Sequence, residues 1–212
     1  MFYEAVQTLA PGTFGELDCL CVVLHFQIIF TMNVIMKTLS RMLGRRNYQV
    51  PDILEPFKNF KVENPDTEKT CLVWFSLDGK AGVTVIGDIV KQMEAEDVYE
   101  TVLVTEGLTS HATQKLNSIN SPNFFICVMP PKSLMFDVCD HQFVPPHRIL
   151  GEDERRKVME KYDNGKLPVI YLDDPVAKYM GARVGDVFEI VRNRPNVGEH
   201  LYYRQVFKNR DQ

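Results

Sequence analysis

The 12 glycines of this 212-residue chain form no glycine-rich phosphate loop. Nor does the chain carry an acidic triad of the kind that holds catalytic metal ions, or a nucleophile set beside a base, so nucleotide hydrolysis and covalent catalysis have no local signature. Internal repeats and low-complexity tracts are absent, which excludes solenoid architectures and disordered linkers. Cysteine is scarce and odd in number: Cys19, Cys21, Cys71, Cys127 and Cys139 are irregularly spaced, as expected of reduced thiols in a reducing compartment. Cations form no stripe. The formal net charge is -4, with 11 Lys+Arg against 16 Asp+Glu over residues 1–137 and 13 against 12 over 138–212, so any contact with nucleic acid has to be local.

Charge is also missing from Cys19 to Met36, a run of 18 residues that is long enough to raise a membrane span. Lys37, Arg41, Arg45 and Arg46 follow it. His25, Gln27, Thr31 and Asn33 interrupt it, and Glu4, Glu16 and Asp18 stand where a signal peptide carries Lys or Arg. Residues 1–31 are therefore expected to be an extension ahead of the folded region, with Met32 or Met36 as a candidate working initiator, and membrane insertion is disfavoured.

What is present is an ordinary folding composition, 45% hydrophobic and 25% charged. Ile35, Leu39, Met42 and Leu43 recur at helical spacing over 33–47, with basic residues on the other side. Val50-Pro51-Asp52 is suited to opening a second, short helix. Cys71 to Phe75 reads as a buried strand, Asp78-Gly79 as a hairpin turn, and Val83 to Ile86 as the returning strand. A helix is expected over 88–97, strands over 99–104 and 122–128, and a helix capped by Thr109 that runs through Leu116. This alternation implies an α/β layer with a mixed sheet over residues 32–137. Pro130-Pro131 and Pro145-Pro146 punctuate a boundary near 138. Beyond it come helices over 152–162 and 175–180, and strands over 168–172, 187–192 and 201–207. The chain is thus read as a two-domain α/β protein.

The most specific stretch lies in this second part. Asp174-Pro175 is a helix start, with the carboxylate at the positive dipole end and proline in the first turn. Gly181 and Gly185 supply tight turns, and Gly198 turns the chain into its last strand. The pattern runs His141-x-x-Val144-Pro145-x-His147, then Leu167-Pro168-x-Ile170, Asp174-Pro175-Val176-Ala177 with Gly181, Gly185, Val187-x-x-Ile190-x-Arg192, Gly198, and Tyr203-Arg204-x-Val206. It resembles the small RNA polymerase component that is the fifth subunit in eukaryotes, where polymerases I, II and III share it, and that archaea carry in a shorter form without the N-terminal domain.

That resemblance implies a non-catalytic structural subunit of a nuclear DNA-directed RNA polymerase, needing no cofactor, with a nucleolar location if it is specific to polymerase I. The resemblance further implies that the assembly domain, 138–212, docks on the largest subunit. His141, Pro145, His147, Pro168, Asp174, Pro175, Val176, Gly181, Gly185, Arg192, Gly198, Tyr203 and Arg204 would form or support that surface. Residues 32–137 would form part of a lower jaw near downstream DNA, in a fold similar to that of certain nucleases. Thr109, Ser110, His111 and Lys115 would lie closest to the duplex. Two departures stand out: Val169 replaces the family's arginine in Leu-Pro-Arg-Ile, and residues 193–197 diverge. They are the marks expected of a copy specialised for one polymerase.

A second reading is a Mg²⁺-dependent nuclease using Asp66, Asp78 and Lys80, from the loose Pro-Asp…Asp-x-Lys pattern. Turn chemistry explains the same residues. Cys139, His141 and His147 lack a fourth ligand at a sensible spacing for zinc.

Overall fold

The computed structural model describes residues 16–51, 55, 57–119, 124–162, 166–194 and 198–208, with side chains from residue 30 onward, that of Arg194 excepted. Helix α1 spans Glu16–Arg45, so the helical segment read from residue 33 begins well before it and runs unbroken past residue 31. Its packed face is Ile35, Met36, Leu39, Met42 and Leu43, the positions that a 3.6-residue period brings to one side. Asn47, at φ 63, ends the helix, and Tyr48 N–H returns to Leu43 C=O at 3.0 Å. Among the described residues no helix is long and apolar enough to cross a membrane. The short helix expected from Pro51 falls outside the described residues.

Strands β1 (Phe60–Glu63), β2 (Thr70–Ala81), β3 (Glu100–Leu108) and β4 (Phe125–Met129) form one sheet in that order. β1 is antiparallel to β2, whereas β2, β3 and β4 are parallel. Parallel strands covered on both faces need continuous apolar runs, and Cys71-Leu72-Val73 and Val102-Leu103-Val104 supply them, every one of these residues buried. α1 covers one face, against Val73, Val102, Val104, Cys127 and Met129. Helices α2 (Val83–Glu96) and α3 (Ser110–Ile119) cover the other through Ile86, Ile89, Met93, Ala112 and Leu116.

The hairpin expected at Asp78-Gly79 does not form. β2 continues through it, with a register shift between Ser76 and Lys80 that Gly79 absorbs at φ 94. Val83 to Ile86, read as the returning strand, opens α2 instead. Its β-branched residues favour a strand locally. Burial of Ile86, Ile89 and Met93 at helical spacing against the sheet outweighs that preference.

The second sheet has the order β5-β7-β8-β6, from β5 (His147–Ile149), β7 (Val187–Arg194), β8 (Gly198–Phe207) and β6 (Val169–Tyr171). β5 and β8 run antiparallel to β7, and β6 runs parallel to β8. Helix α5 (Pro175–Met180) packs on the face of Ile170, Phe188, Ile190 and Val206. Helix α4 (Glu152–Lys161) covers part of the opposite face, where Val158 and Met159 meet Val187 and Tyr203.

Candidate functional site

Local chemistry sets the second sheet's turns. Asp174 caps α5 by accepting from Val176 N–H at 2.8 Å, with Pro175 at the first helical position. Gly181 closes that helix at φ 70, and Ala182 N–H reaches Ala177 C=O at 3.0 Å. Gly185, at φ 96, donates to Val206 C=O at 2.9 Å, and Gly198 opens β8. These turns hold β7 and β8 in register from Val187–Gln205 to Arg194–Gly198.

The motif residues divide by environment. His141, Pro168, Pro175 and Gly198 are exposed, while Val176 is buried inside the scaffold. His147 is half-buried: its ring lies edge-on to Phe188 at 5.8 Å, and its Nδ1 sits 2.6 Å from the Pro145 carbonyl. The Arg192 guanidinium lies over the Tyr202 ring at 5.0 Å. Tyr203 donates to Glu189 Oε2 at 3.4 Å, and Arg204 stands opposite Phe188 in the ladder.

Burial lowers the His147 pKa, partly offset by the Pro145 carbonyl. A histidine whose folded pKa lies below its unfolded value binds fewer protons when folded. Its contribution to stability is therefore complete above the unfolded pKa of about 6.5 and is lost as pH falls below it. Urea denaturation at about pH 7.5 and about pH 5.5 is expected to show a smaller loss for His147→Gln than for the unaltered chain.

The motif reading missed the apolar side of this sheet. Val169, Tyr171, Leu201 and Phe207 are 41%, 47%, 55% and 41% exposed. Tyr171 pairs with Phe207, and Val169 with Gln205, so the register places them on one face. Its sequence signal is the alternation around Ile170, which is buried between exposed Val169 and Tyr171.

Thr109 is the first-turn cap of α3, its Oγ1 accepting from Ala112 N–H at 3.3 Å. Ser110 and His111 are exposed at that helix start, and Lys115 lies one turn on, half-buried. Thr109 N–H is tied to Ala81 C=O at 3.1 Å, which holds this corner at the far end of β2.

Distance dismantles the nuclease constellation. Asp66 sits in the turn before β2, whereas Asp78 and Lys80 lie at that strand's other end. Eight residue steps of strand from Thr70 to Asp78, at about 3.3 Å each, keep the carboxylates roughly 25 Å apart. One Mg²⁺ does not bridge that distance.

The two sheets are joined by a buried cation that the sequence reading placed on the polar side of α1. The Arg46 side chain is 3% exposed. It donates to Glu100 Oε1 at 2.7 Å, to the Lys178 carbonyl at 2.7 Å and to the Tyr179 carbonyl at 3.1 Å. Tyr48 Oη donates to the other Glu100 oxygen at 3.1 Å. Burial pulls the Arg46 pKa down, but Cys127 and Glu100 more than offset this, so the net shift is upward. Around it, Tyr179 Oη donates to the Thr38 carbonyl at 3.4 Å, and Arg45 pairs with Asp137 at 3.2 Å.

A small mixed sheet, with α5 on one face and α4 over part of the other, leaves exposed apolar side chains at its β6 edge, beside a larger α/β layer. Residues 136–206 match the family model described as RNA polymerase Rpb5, C-terminal domain. Subunit RPABC1 of DNA-directed RNA polymerases I, II and III from Caenorhabditis elegans is 27% identical over 198 residues, covering 81% of this chain and 93% of the relative. Subunit Rpo5 of the Pyrococcus horikoshii polymerase is 42% identical over 76 residues, 35% of this chain and 93% of the relative. That of Methanosarcina mazei is 44% identical over 75 residues, 34% of this chain and 96% of the relative. The chain belongs to this family, that of the eukaryotic fifth subunit and its shorter archaeal counterpart.

Proposed function

We propose that the chain is a non-catalytic structural subunit of a nuclear DNA-directed RNA polymerase, and that its C-terminal sheet docks on the largest subunit. The single observation that carries this reading is the coincidence of the family match with one complete sheet and its helices. Residues 136–206 take in β5 to β8 almost entirely, together with the helices that pack on them. In this reading 138–212 is the assembly domain, and residues 32–137 are the jaw. The exposed motif residues His141, Pro168 and Pro175 would flank the docking surface. Val176, Gly181 and Gly185 would act by fixing its shape.

The jaw corner at Thr109, Ser110, His111 and Lys115 would face downstream DNA. A helix N-terminus with a lysine one turn on favours a phosphate, and the contact would be weak because the whole molecule is acidic. The departure at Val169, which lies on the exposed stripe, supports a copy specialised for one polymerase.

Affinity purification of the tagged full chain, followed by mass spectrometry, tests this reading. Recovery of one polymerase's largest subunit well above the other two is expected. Equal recovery of all three would refute the specialisation, and recovery of none would refute the docking.

A further inference from the structure

We propose that the outer edge of β6 is a strand-addition site, which takes an extended segment of a larger polymerase subunit into the C-terminal sheet. The proposal rests on the docking reading above and names how that docking is made.

Among the described residues the sheet order ends at β6, whose strand partner is β8. Gln205 N–H donates to the Pro168 carbonyl at 2.9 Å, and Leu172 N–H to the Phe207 carbonyl at 2.9 Å. Along a strand, successive peptide groups point to alternate sides. Residues 168, 170 and 172 therefore serve β8, and the N–H and C=O of Val169 and the N–H of Tyr171 point to the open edge. The Tyr171 carbonyl is already occupied by Asp174 N–H at 3.0 Å. Two donors and one acceptor remain in strand register, the pattern that an incoming backbone completes.

The side chains at this edge agree with that use. An edge left open to water is ordinarily guarded by charge, proline or a bulge. Here the two residues whose amides face outward are Val169 and Tyr171, both exposed and both apolar at their base. Phe207 stands opposite Tyr171 on β8 and is exposed, so an added strand would extend that apolar face instead of starting a separate contact. β6 has three residues, about 10 Å of edge, too little to hold two copies of this chain together alone. Such an edge works as one part of a larger interface, as a polymerase core subunit lying across the stripe would provide.

Proline at 169 or 171 removes an outward N–H and leaves every hydrogen bond to β8 intact. Tagged full-length chains carrying Val169→Pro, Tyr171→Pro or the control Val169→Thr would be titrated against purified polymerase largest subunit. Folding of each would be checked by thermal melting, and oligomeric state by light scattering. Both proline variants are expected to lose roughly tenfold or more in apparent affinity, and Val169→Thr, which keeps its outward amide and alters only the side chain, clearly less. Equal binding by all four chains overturns strand addition and leaves the docking reading standing. No binding by the parent chain overturns the docking reading and this proposal together. A parent that self-associates through the edge, with proline abolishing only that, makes the occupant a second copy and also overturns the proposal. If the proline chains fail to fold, hydrogen exchange of the parent decides. The Val169 and Tyr171 amides must gain protection in the complex, and unchanged exchange there overturns the proposal.

Discussion

Replacing Arg46 with methionine is expected to destabilise the folded chain by about 3–5 kcal/mol, read as the fall in urea midpoint at unchanged slope. Methionine fills much of the same volume, so the loss is electrostatic. Without the guanidinium, the Glu100 carboxylate, 12% exposed, keeps only the Tyr48 hydroxyl at 3.1 Å and the more distant Arg183 at 3.8 Å. The carbonyls of Lys178 and Tyr179 lose their donors at the same time. A buried carboxylate deprived of its close ion partner is costly in a protein interior. The double variant Arg46→Met, Glu100→Gln is expected to recover part of the loss, because it removes the stranded charge. A midpoint for Arg46→Met within error of the parent would show that the cation does not join the two sheets.

Gly181→Ala is expected to cost about 1–3 kcal/mol from the backbone alone, since φ 70 is left-handed and an alanine adopts it under strain. A second penalty adds to the first. The new Cβ would stand 2.9 Å from Arg46 Cζ and Nε, closer than such contacts occur, so the guanidinium has to shift. Its planar fork is tied to one carboxylate and two carbonyls, and any shift weakens all three. The two substitutions are therefore coupled: in the Arg46→Met background Gly181→Ala is expected to cost measurably less than in the parent. Strictly additive midpoints would separate the glycine from the buried cation.

The residues legible in the sequence were those whose structure is local. Asp174-Pro175, Gly181, Gly185 and Gly198 announce a cap and three turns through their own stereochemistry, and each sits in the conformation expected of it. Thr109 likewise caps α3. The misread elements were those whose local and long-range preferences conflict. Val83-Thr84-Val85-Ile86 carries β-branched residues, yet it begins a helix because its neighbours can then bury against β2 and β3. Asp78-Gly79 has hairpin chemistry, yet it lies within a strand because the parallel partner β3 extends alongside to Leu108.

The linear sequence by itself determined most of the strands and helices, the turns at Asp174-Pro175, Gly181, Gly185 and Gly198, and the family of this chain, because a cap, a positive φ or an apolar period is specified within a few residues. Only the tertiary structure decided which arginine of α1 is buried, where the two sheets are clamped, and that Val169, Tyr171, Leu201 and Phe207 share one open face. Arg46 and the Tyr179 carbonyl are 133 positions apart, and no local preference distinguishes Arg46 from its exposed neighbour Arg41. That distinction arises only when α1 and α5 meet over the end of β3, and a charge drawn out of water there must find its partners or be expelled.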